Sequence, residues 1–344
     1  MASLALERPR RVPPGAFSNG VWCAEPPRVF SNGAECYCRR PLMVTATAPA
    51  ATPLERLRTY GSFVRFEHTL FSLPLVLAGV FSAPGPALPL MRWLLVAIAA
   101  VGARTAAMAL NRLIDRRLDA INPRTRAREL PAGRMRASEA WLLLAGSVLA
   151  YLLACAALGP WFLRVAAIPL AVFTVYPYLK RFTPFCHFGV GAALALAPLA
   201  GFAAAHPDLS RSVPALWLAA FAFLWVSGFD IIYATLDEAF DREHRVRSMV
   251  EWLGRRVALR WAAVLHAAAF ACLVAAVAPL LGAAPRVASW AMPATLVMLA
   301  ATGVLLYLEQ RWAEDVDLAF FKVNVFVGLG VLATVLAARA AGGF

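Results

Sequence analysis

Long apolar windows are the feature that most constrains the fold of this chain of 344 residues. An α-helix needs about 20 consecutive apolar residues to cross the hydrocarbon core of a bilayer. Hydropathy predicts about nine such windows: residues 67–83, 89–112, 138–158, 161–178, 185–205, 213–233, 257–279, 288–308 and 319–340. Hydrophobic residues make up 61% of the chain and charged residues 15%, whereas soluble proteins have about 25% charged residues. The sequence therefore predicts an all-α, polytopic membrane protein.

Basic residues are distributed unevenly between the two sets of alternating loops. If the N-terminus is cytoplasmic, the cytoplasmic loops contain the segments Arg112–Arg136, Lys180–Arg181, Arg242–Arg260 and Arg311–Lys322. The opposite loops contain only Arg211 and Arg286. The positive-inside rule therefore predicts a cytoplasmic N-terminus and an odd number of spans. Loop arginines also account for the formal net charge of +13, and we expect no nucleic-acid partner because no basic run alternates with exposed aromatic residues.

Residues 1–60 differ in composition from the rest of the chain. They are rich in Pro, Arg, Ala and Ser and lack a long apolar run, so we expect a disordered N-terminal extension followed by a transmembrane domain at residues 61–344. An organelle transit peptide is an alternative, and Met43 is an alternative start. The six cysteines form no disulfide or zinc pattern, and Cys186 and His187 are expected to be ordinary core residues.

Two acidic clusters close the second and sixth windows, on the side predicted to be cytoplasmic. Their metal-ligating candidates are Asn111, Asp115, Asp119, Asp230, Asp237 and Asp241. Spacings of four or seven residues keep each set on one helix face. Facing carboxylates repel one another unless cations lie between them, and oxygen ligands favour Mg²⁺, which often bridges carboxylates to a substrate phosphate. We therefore predict a central cavity, open to the cytoplasmic side, that binds Mg²⁺ and a diphosphate; solvated helix ends with surface ion pairs are the alternative.

Basic side chains suited to phosphate lie next to both clusters. Arg124 and Arg128 are in a proline-bounded loop that can fold back over the cavity, and Lys180 and Arg181 end the fourth window. The arginine fork fits phosphate oxygens, although anchoring at the membrane surface is the alternative for any one of them.

A third group of charged residues is associated with the first two windows. Arg104 lies within the second window, seven residues before Asn111 on the same helix face. A buried arginine requires an anion, which is either an acid from another helix or a substrate carboxylate or phosphate. Arg65 and His68 lie at the start of the first window, where an interfacial role remains the alternative.

The phrases NRLIDRRLD, YPYLKR and DIIYATLDEAFD resemble the motifs of the UbiA-type intramembrane aromatic prenyltransferases, over about residues 60–340. RFEHTLFSLP, RELPAG and GFDIIYA are most similar to the 4-hydroxybenzoate polyprenyltransferase-like branch. The resemblance implies Mg²⁺-dependent transfer of a polyprenyl group from polyprenyl diphosphate to an aromatic acid, 4-hydroxybenzoate or a dihydroxynaphthoate, in ubiquinone or menaquinone biosynthesis. It also implies a location in the lipid bilayer, which we expect to be the bacterial inner membrane. A cation-coupled transporter that uses the acids as its ion site is the alternative function.

The resemblance also implies roles for individual residues. Mg²⁺ is expected on Asp115, Asp119, Asp237 and Asp241, assisted by Asn111 and Asp230, and these four acids together with Tyr233 form the expected catalytic set. The expected diphosphate-binding set is Arg124, Arg128, Lys180, Arg181 and Tyr176, with Tyr176 and Tyr233 facing the reacting allylic carbon. The expected acceptor-binding set is Arg104, Arg65 and His68. Two positions depart from the family pattern: Arg112 replaces an Asp of many members, which leaves one fewer candidate ligand, and Glu129 replaces a Pro, which could change loop closure.

Overall fold

The computed structural model of the protein describes residues 52–65, 69–281, 290–313 and 322–342. Within these ranges the regular structure is helical, as predicted. The helices are α1 (Pro53–Phe63), α2 (Thr69–Ser82), α3 (Leu90–Ile121), α4 (Ala137–Leu158), α5 (Pro160–Val165), α6 (Ala167–Leu179), α7 (Cys186–Ala205), α8 (Val213–Ala234), α9 (Glu238–His244), α10 (Met249–Leu253), α11 (Arg255–Leu281), α12 (Ala291–Arg311) and α13 (Asn324–Gly342). A 3₁₀ turn, Thr235–Asp237, joins α8 to α9.

Eight helical segments in the described ranges are long and apolar enough to cross a membrane. One combines α5 with α6, and another combines α8 with α9. The predicted count of nine is not confirmed, because α2, at the first window, has 14 residues and a full crossing needs about 20. Large apolar side chains such as Leu90 and Leu142 are 76% and 73% exposed, as expected of a surface that faces lipid. The chain is an integral membrane protein.

Helix α3 positions the first acidic cluster because it continues beyond the predicted window. The window ends at residue 112, whereas α3 has 32 residues and ends at Ile121. Asn122 has extended backbone angles, φ −78° and ψ 120°, and it precedes Pro123, which disfavours a helical conformation at the residue before it. Asp115 and Asp119 therefore lie on the last turns of one continuous helix.

Helices α2, α7, α8, α11 and α13 surround the largest apolar cluster, in which Trp225, Phe221 and Leu273 are fully buried. Glycine allows α2 and α7 to approach closely: a Cβ atom at Gly201 would lie 2.0 Å from the carbonyl oxygen of Val76. This packing fixes α7 and α8, which both carry side chains of the site described below.

Helix α1 crosses the domain boundary that the sequence predicts at residue 60. The Thr52 hydroxyl accepts from the backbone N–H of Glu55, and the Glu55 carboxylate accepts from the backbone N–H of Thr52, which forms a capping box. Residues 53–60 are therefore helical and the boundary at residue 60 falls within α1, so disorder is wrong for this part. The disorder predicted for residues 1–51 lies outside the described residues and stays a prediction.

Candidate functional site

The C-terminal ends of α3 and α8 border a cavity of about 200 Å³. All six candidate metal ligands line it: Asn111, Asp115, Asp119, Asp230, Asp237 and Asp241. Loop 122–136 contributes Arg124 and Arg128 to the wall, and Lys180 reaches it from the end of α6. The two acidic clusters, far apart in sequence, thus face the same space.

Asp115 is the most deeply buried of the six, with 2% of its surface exposed. Lys180 Nζ donates to Asp115 Oδ2 at 2.6 Å, and Asn111 Nδ2 donates to the same oxygen at 3.3 Å. The other oxygen, Oδ1, is buried and has no hydrogen-bond partner among the described residues. A buried carboxylate requires a cation. Lys180 provides it on one oxygen, and the second oxygen remains available to a further ligand.

Loop 122–136 folds back onto the end of α3. Arg128 Nη1 donates to Asp119 Oδ1 at 2.7 Å, and the Thr125 hydroxyl donates to the backbone carbonyl of Asp119 at 3.1 Å. The second ion pair of the cavity is therefore formed within one helix and the loop that follows it.

Arg124 extends the same loop across the cavity to the α8 cluster. Its Nε donates to Asp237 Oδ1 at 2.8 Å, its Nη2 donates to Asp237 Oδ2, and its Nη1 donates to the Tyr233 hydroxyl at 2.6 Å. Asn122 Nδ2 also donates to Asp237 Oδ1, at 3.0 Å. Burial by itself would lower the pKa of Arg124, but Asp237 and Tyr233 outweigh burial and hold that pKa above its usual value. Arg124 therefore remains a cation as it joins the two halves of the site.

His187 forms a fourth polar pair and corrects its prediction as an ordinary core residue. It is 2% exposed, and its Nδ1 lies 2.7 Å from Asp230 Oδ2. The backbone N–H of Met249 donates to His187 Nε2 at 3.3 Å. An Nε2 acceptor leaves the proton on Nδ1, which then donates to Asp230. Asp230 is thus oriented by His187, and Cys186 also lines the cavity.

The remaining sequence candidates that the structure describes do not line the cavity. Arg181 Nη2 donates to the carbonyl of Ile114 at 3.1 Å, and Tyr176 packs against Gly189 of α7. Arg104 donates from Nε to the Thr69 hydroxyl and from Nη2 to the carbonyl of Arg65, both at 3.0 Å. The structure therefore brings Arg104 and Arg65 together beside α2. The third acceptor candidate, His68, lies outside the described residues.

The donor set of the cavity is chemically suited to a hard divalent cation. In the part of the chain that the structure describes, no three His, Cys, Asp or Glu side chains are arranged to hold a metal, because Asp115, Asp119 and Asp237 are each turned toward a basic partner. Their donor atoms are nevertheless oxygens, which Mg²⁺ prefers, and the buried Asp115 Oδ1 has no hydrogen-bond partner among the described residues. The residues fit a metal that would replace the basic partners.

Sequence reasoning missed several cavity residues, among them Asn122, His187, Arg247 and Ser248. Asn122 follows Asp119 by three residues, so helical spacing could have identified it. His187, Arg247 and Ser248 have no such periodic relation to the acids. They reach the cavity because α7 packs against α8, and because a backbone hydrogen bond holds the segment between α9 and α10 against Lys180.

Curated relatives match much of the chain. The chain is 31% identical over 218 residues to the mitochondrial 4-hydroxybenzoate polyprenyltransferase of Caenorhabditis elegans, a match that covers 62% of this chain and 61% of that protein. It is 27% identical over 228 residues to the 4-hydroxybenzoate octaprenyltransferase of Shewanella denitrificans, which covers 65% of this chain and 76% of that protein. The chain thus spans about three fifths of the length of the first relative.

Solved structures show the same fold. The apo structure of a UbiA homolog from Aeropyrum pernix K1 superposes with a TM-score of 0.69 at 33% identity, over 78% of this chain and 97% of that one. A UbiA homolog from Archaeoglobus fulgidus bound to GPP and Mg²⁺ has a TM-score of 0.59 at 18% identity, over 83% of this chain and 100% of that one. The pattern of the UbiA prenyltransferase family matches residues 72–338. The chain therefore belongs to the UbiA prenyltransferase family.

Proposed function

We propose that the protein transfers a polyprenyl group from polyprenyl diphosphate to a ring carbon of an aromatic acid, 4-hydroxybenzoate or a dihydroxynaphthoate, and releases diphosphate. The observation that carries this proposal is that the six candidate metal ligands, which come from two distant motifs, line one cavity of a membrane protein together with Arg124, Arg128 and Lys180. The names of the relatives support the same reaction, because they include 4-hydroxybenzoate polyprenyltransferases. The product would be a precursor of ubiquinone or menaquinone.

In the proposed reaction, the allylic C–O bond breaks and both of its electrons leave on the diphosphate. A ring carbon ortho to the phenol attacks the allylic cation, and the ring proton is lost to a base. Arg124, Arg128 and Lys180 would leave their carboxylates and bind the departing diphosphate as its charge develops. The guanidinium of Arg124 now covers the Tyr233 ring at 4.7 Å, and its movement would expose this ring to the allylic cation.

Divalent metal is part of this proposal. Asp115, Asp119, Asp237 and Asp241, assisted by Asn111 and Asp230, would hold Mg²⁺, which supplies positive charge to the diphosphate oxygens. Support comes from the all-oxygen donor set and from the Archaeoglobus fulgidus homolog bound to GPP and Mg²⁺. The remaining assignments are those of the sequence: Arg181 and Tyr176 assist diphosphate binding, and Arg104, Arg65 and His68 bind the acceptor.

The bilayer location follows from the donor substrate. At about 0.8 kcal/mol per buried CH₂, a long polyprenyl chain stays in lipid, so its diphosphate must be processed at a membrane surface. We propose a bacterial inner membrane, with the N-terminus and the cavity on the cytoplasmic side, because basic residues are concentrated in one set of loops.

Product analysis tests the proposed function. Membranes containing the protein are incubated with geranyl diphosphate, Mg²⁺ and a panel of aromatic acids, and products are identified by mass. We expect a prenylated aromatic acid that is lost with EDTA and in the Asp237→Asn variant, while membranes without the protein serve as the control. Absence of product from every acceptor, or full activity of an Asp115→Ala, Asp237→Ala double variant, would contradict the proposal. Substrate-driven ²²Na⁺ or proton uptake by proteoliposomes without pyrophosphate release would favour a transporter instead.

A further inference from the structure

Arg247 is a cavity residue to which neither the acidic motifs nor the proline-bounded loop assigns a role. It lies in the segment between α9 and α10, and its side chain is exposed. Its backbone N–H donates to the carbonyl of Lys180 at 2.8 Å, and its carbonyl accepts from Cys186 Sγ at 3.4 Å. On one side of it, Val246 N–H donates to the carbonyl of Asp241 at 2.9 Å. The backbone therefore holds Arg247 at the cavity while its guanidinium remains accessible.

The other strong cations of the cavity are already neutralised. Lys180 is paired with Asp115, Arg128 with Asp119, and Arg124 with Asp237. Arg247, in contrast, forms no side-chain ion pair or hydrogen bond within the described ranges. Each internal pair largely cancels its own field at a distance, whereas an accessible unpaired guanidinium attracts an anion from solution.

We propose that Arg247 is the residue that first binds the diphosphate of the substrate, before the three internal ion pairs open; this inference rests on the proposed function. A guanidinium offers two parallel N–H donors to phosphate oxygens. The backbone hydrogen bond to the Lys180 carbonyl holds the backbones of the two residues together, and both residues line the same cavity. A diphosphate held by Arg247 therefore lies where it can draw Lys180 away from its carboxylate.

The inference is tested by pyrophosphate binding and by steady-state kinetics on the full chain purified in detergent. The variants are Arg247→Gln, Arg247→Lys and a matched control, Arg245→Gln, which removes an exposed arginine of the same segment that does not line the cavity. Calorimetric titration with inorganic pyrophosphate and Mg²⁺ gives Kd, and geranyl diphosphate with the accepted aromatic acid gives KM and kcat.

We expect Arg247→Gln to raise the Kd for pyrophosphate and the KM for geranyl diphosphate about tenfold, which is the effect of losing about one charge-assisted hydrogen bond. We expect kcat to change less than twofold. Arg247→Lys should recover part of the loss, and Arg245→Gln should match the wild type. The inference is overturned if Arg247→Gln and Arg245→Gln give the same Kd, or if kcat falls while Kd and KM do not change.

The two proposals fail in different ways. If the wild type binds pyrophosphate but forms no prenylated product, the proposed function fails, and the Kd values alone decide the role of Arg247. If the wild type does not bind pyrophosphate, both fail. A variant that does not fold is identified by size-exclusion chromatography. If Arg247→Gln does not fold, Arg247→Lys decides the outcome, because a Kd equal to that of the wild type would show that pyrophosphate binding does not need the guanidinium of Arg247.

Discussion

Replacement of Lys180 by Met tests whether the cavity depends on its internal ion pairs. Lys180 Nζ lies 2.6 Å from Asp115 Oδ2, and the two side chains are 24% and 2% exposed. Met keeps an apolar stem of similar length but leaves the carboxylate without its cation. Removal of one partner of a buried pair costs about 3–5 kcal/mol, and we expect about 3 kcal/mol because Lys180 is reached by solvent. At about 2–4 °C per kcal/mol, the apparent Tm should fall by about 6–12 °C.

A double-mutant cycle separates the buried charge from other effects of the substitution. Asp115→Asn alone removes the buried negative charge that Lys180 compensates. Because the Lys180 ammonium can then turn to solvent, we expect only a small change in the apparent Tm. Lys180→Met in the Asp115→Asn background should cost little more. The double variant should therefore be more stable than Lys180→Met, although it should lack prenyl transfer. Lys322→Met, which removes the only other lysine of the chain at an exposed position, is the matched control.

Thermal denaturation in detergent, followed by tryptophan fluorescence at one scan rate for all variants, gives the apparent Tm values. An apparent Tm of Lys180→Met equal to that of Lys322→Met would refute this prediction, because the stability of the protein would then not depend on the cation beside Asp115. The prediction is also refuted if the double variant is as unstable as Lys180→Met, because the loss would then come from packing of the lysine stem.

Two further predictions follow from the packing and from the cavity. Gly201→Ala should destabilise the protein by about 1–3 kcal/mol, because the added Cβ would lie 2.0 Å from the carbonyl oxygen of Val76. Thermal denaturation measures this effect, with Gly146→Ala as the control because its Cβ would meet no described atom within 4 Å. Equal Tm values for the two variants would contradict the prediction. Mg²⁺ and pyrophosphate should each increase the affinity of the protein for the other by about fivefold or more, after correction for the association of Mg²⁺ with pyrophosphate in solution. The reason is that the metal binds the acids once the basic side chains have left them for the pyrophosphate. Calorimetry with each ligand in the presence and absence of the other measures this coupling, and independent binding would show that the ion pairs need not open.

The acidic face of the site could be predicted because it depends only on local periodicity. Residues four apart on a helix share a face wherever that helix lies, so the spacing of Asn111, Asp115 and Asp119 predicts one ridge, and all three line the cavity from α3. Hydropathy likewise located the apolar helices. It ended the second window too early, because α3 continues through polar residues to Ile121 and a hydropathy average cannot distinguish a polar helix from a loop.

The pairing of acids with cations could not be predicted from spacing. Arg124 reaches Asp237 of the other motif, whereas Arg128, four residues later, returns to Asp119 of its own helix. The difference depends on how loop 122–136 folds back, which is set by tertiary hydrogen bonds such as that from Asn122 to Asp237. The sequence predicts that both arginines bind diphosphate, but it does not predict that each is paired with a carboxylate.

The two departures from the pattern that the resemblance predicts, Arg112 and Glu129, leave the six candidate ligands of the cavity in place. Position 112 lies about 100° around the helix from Asn111, and Arg112 is 4% exposed and does not line the cavity. An acid there would not face the cavity in this arrangement, so its absence removes no ligand from the site. Glu129, at the position where the resemblance predicts a proline, accepts from the Ser62 hydroxyl at 2.7 Å. This hydrogen bond adds a contact between the loop and α1, a helix outside the apolar windows, so changes in α1 should act on the site through this loop.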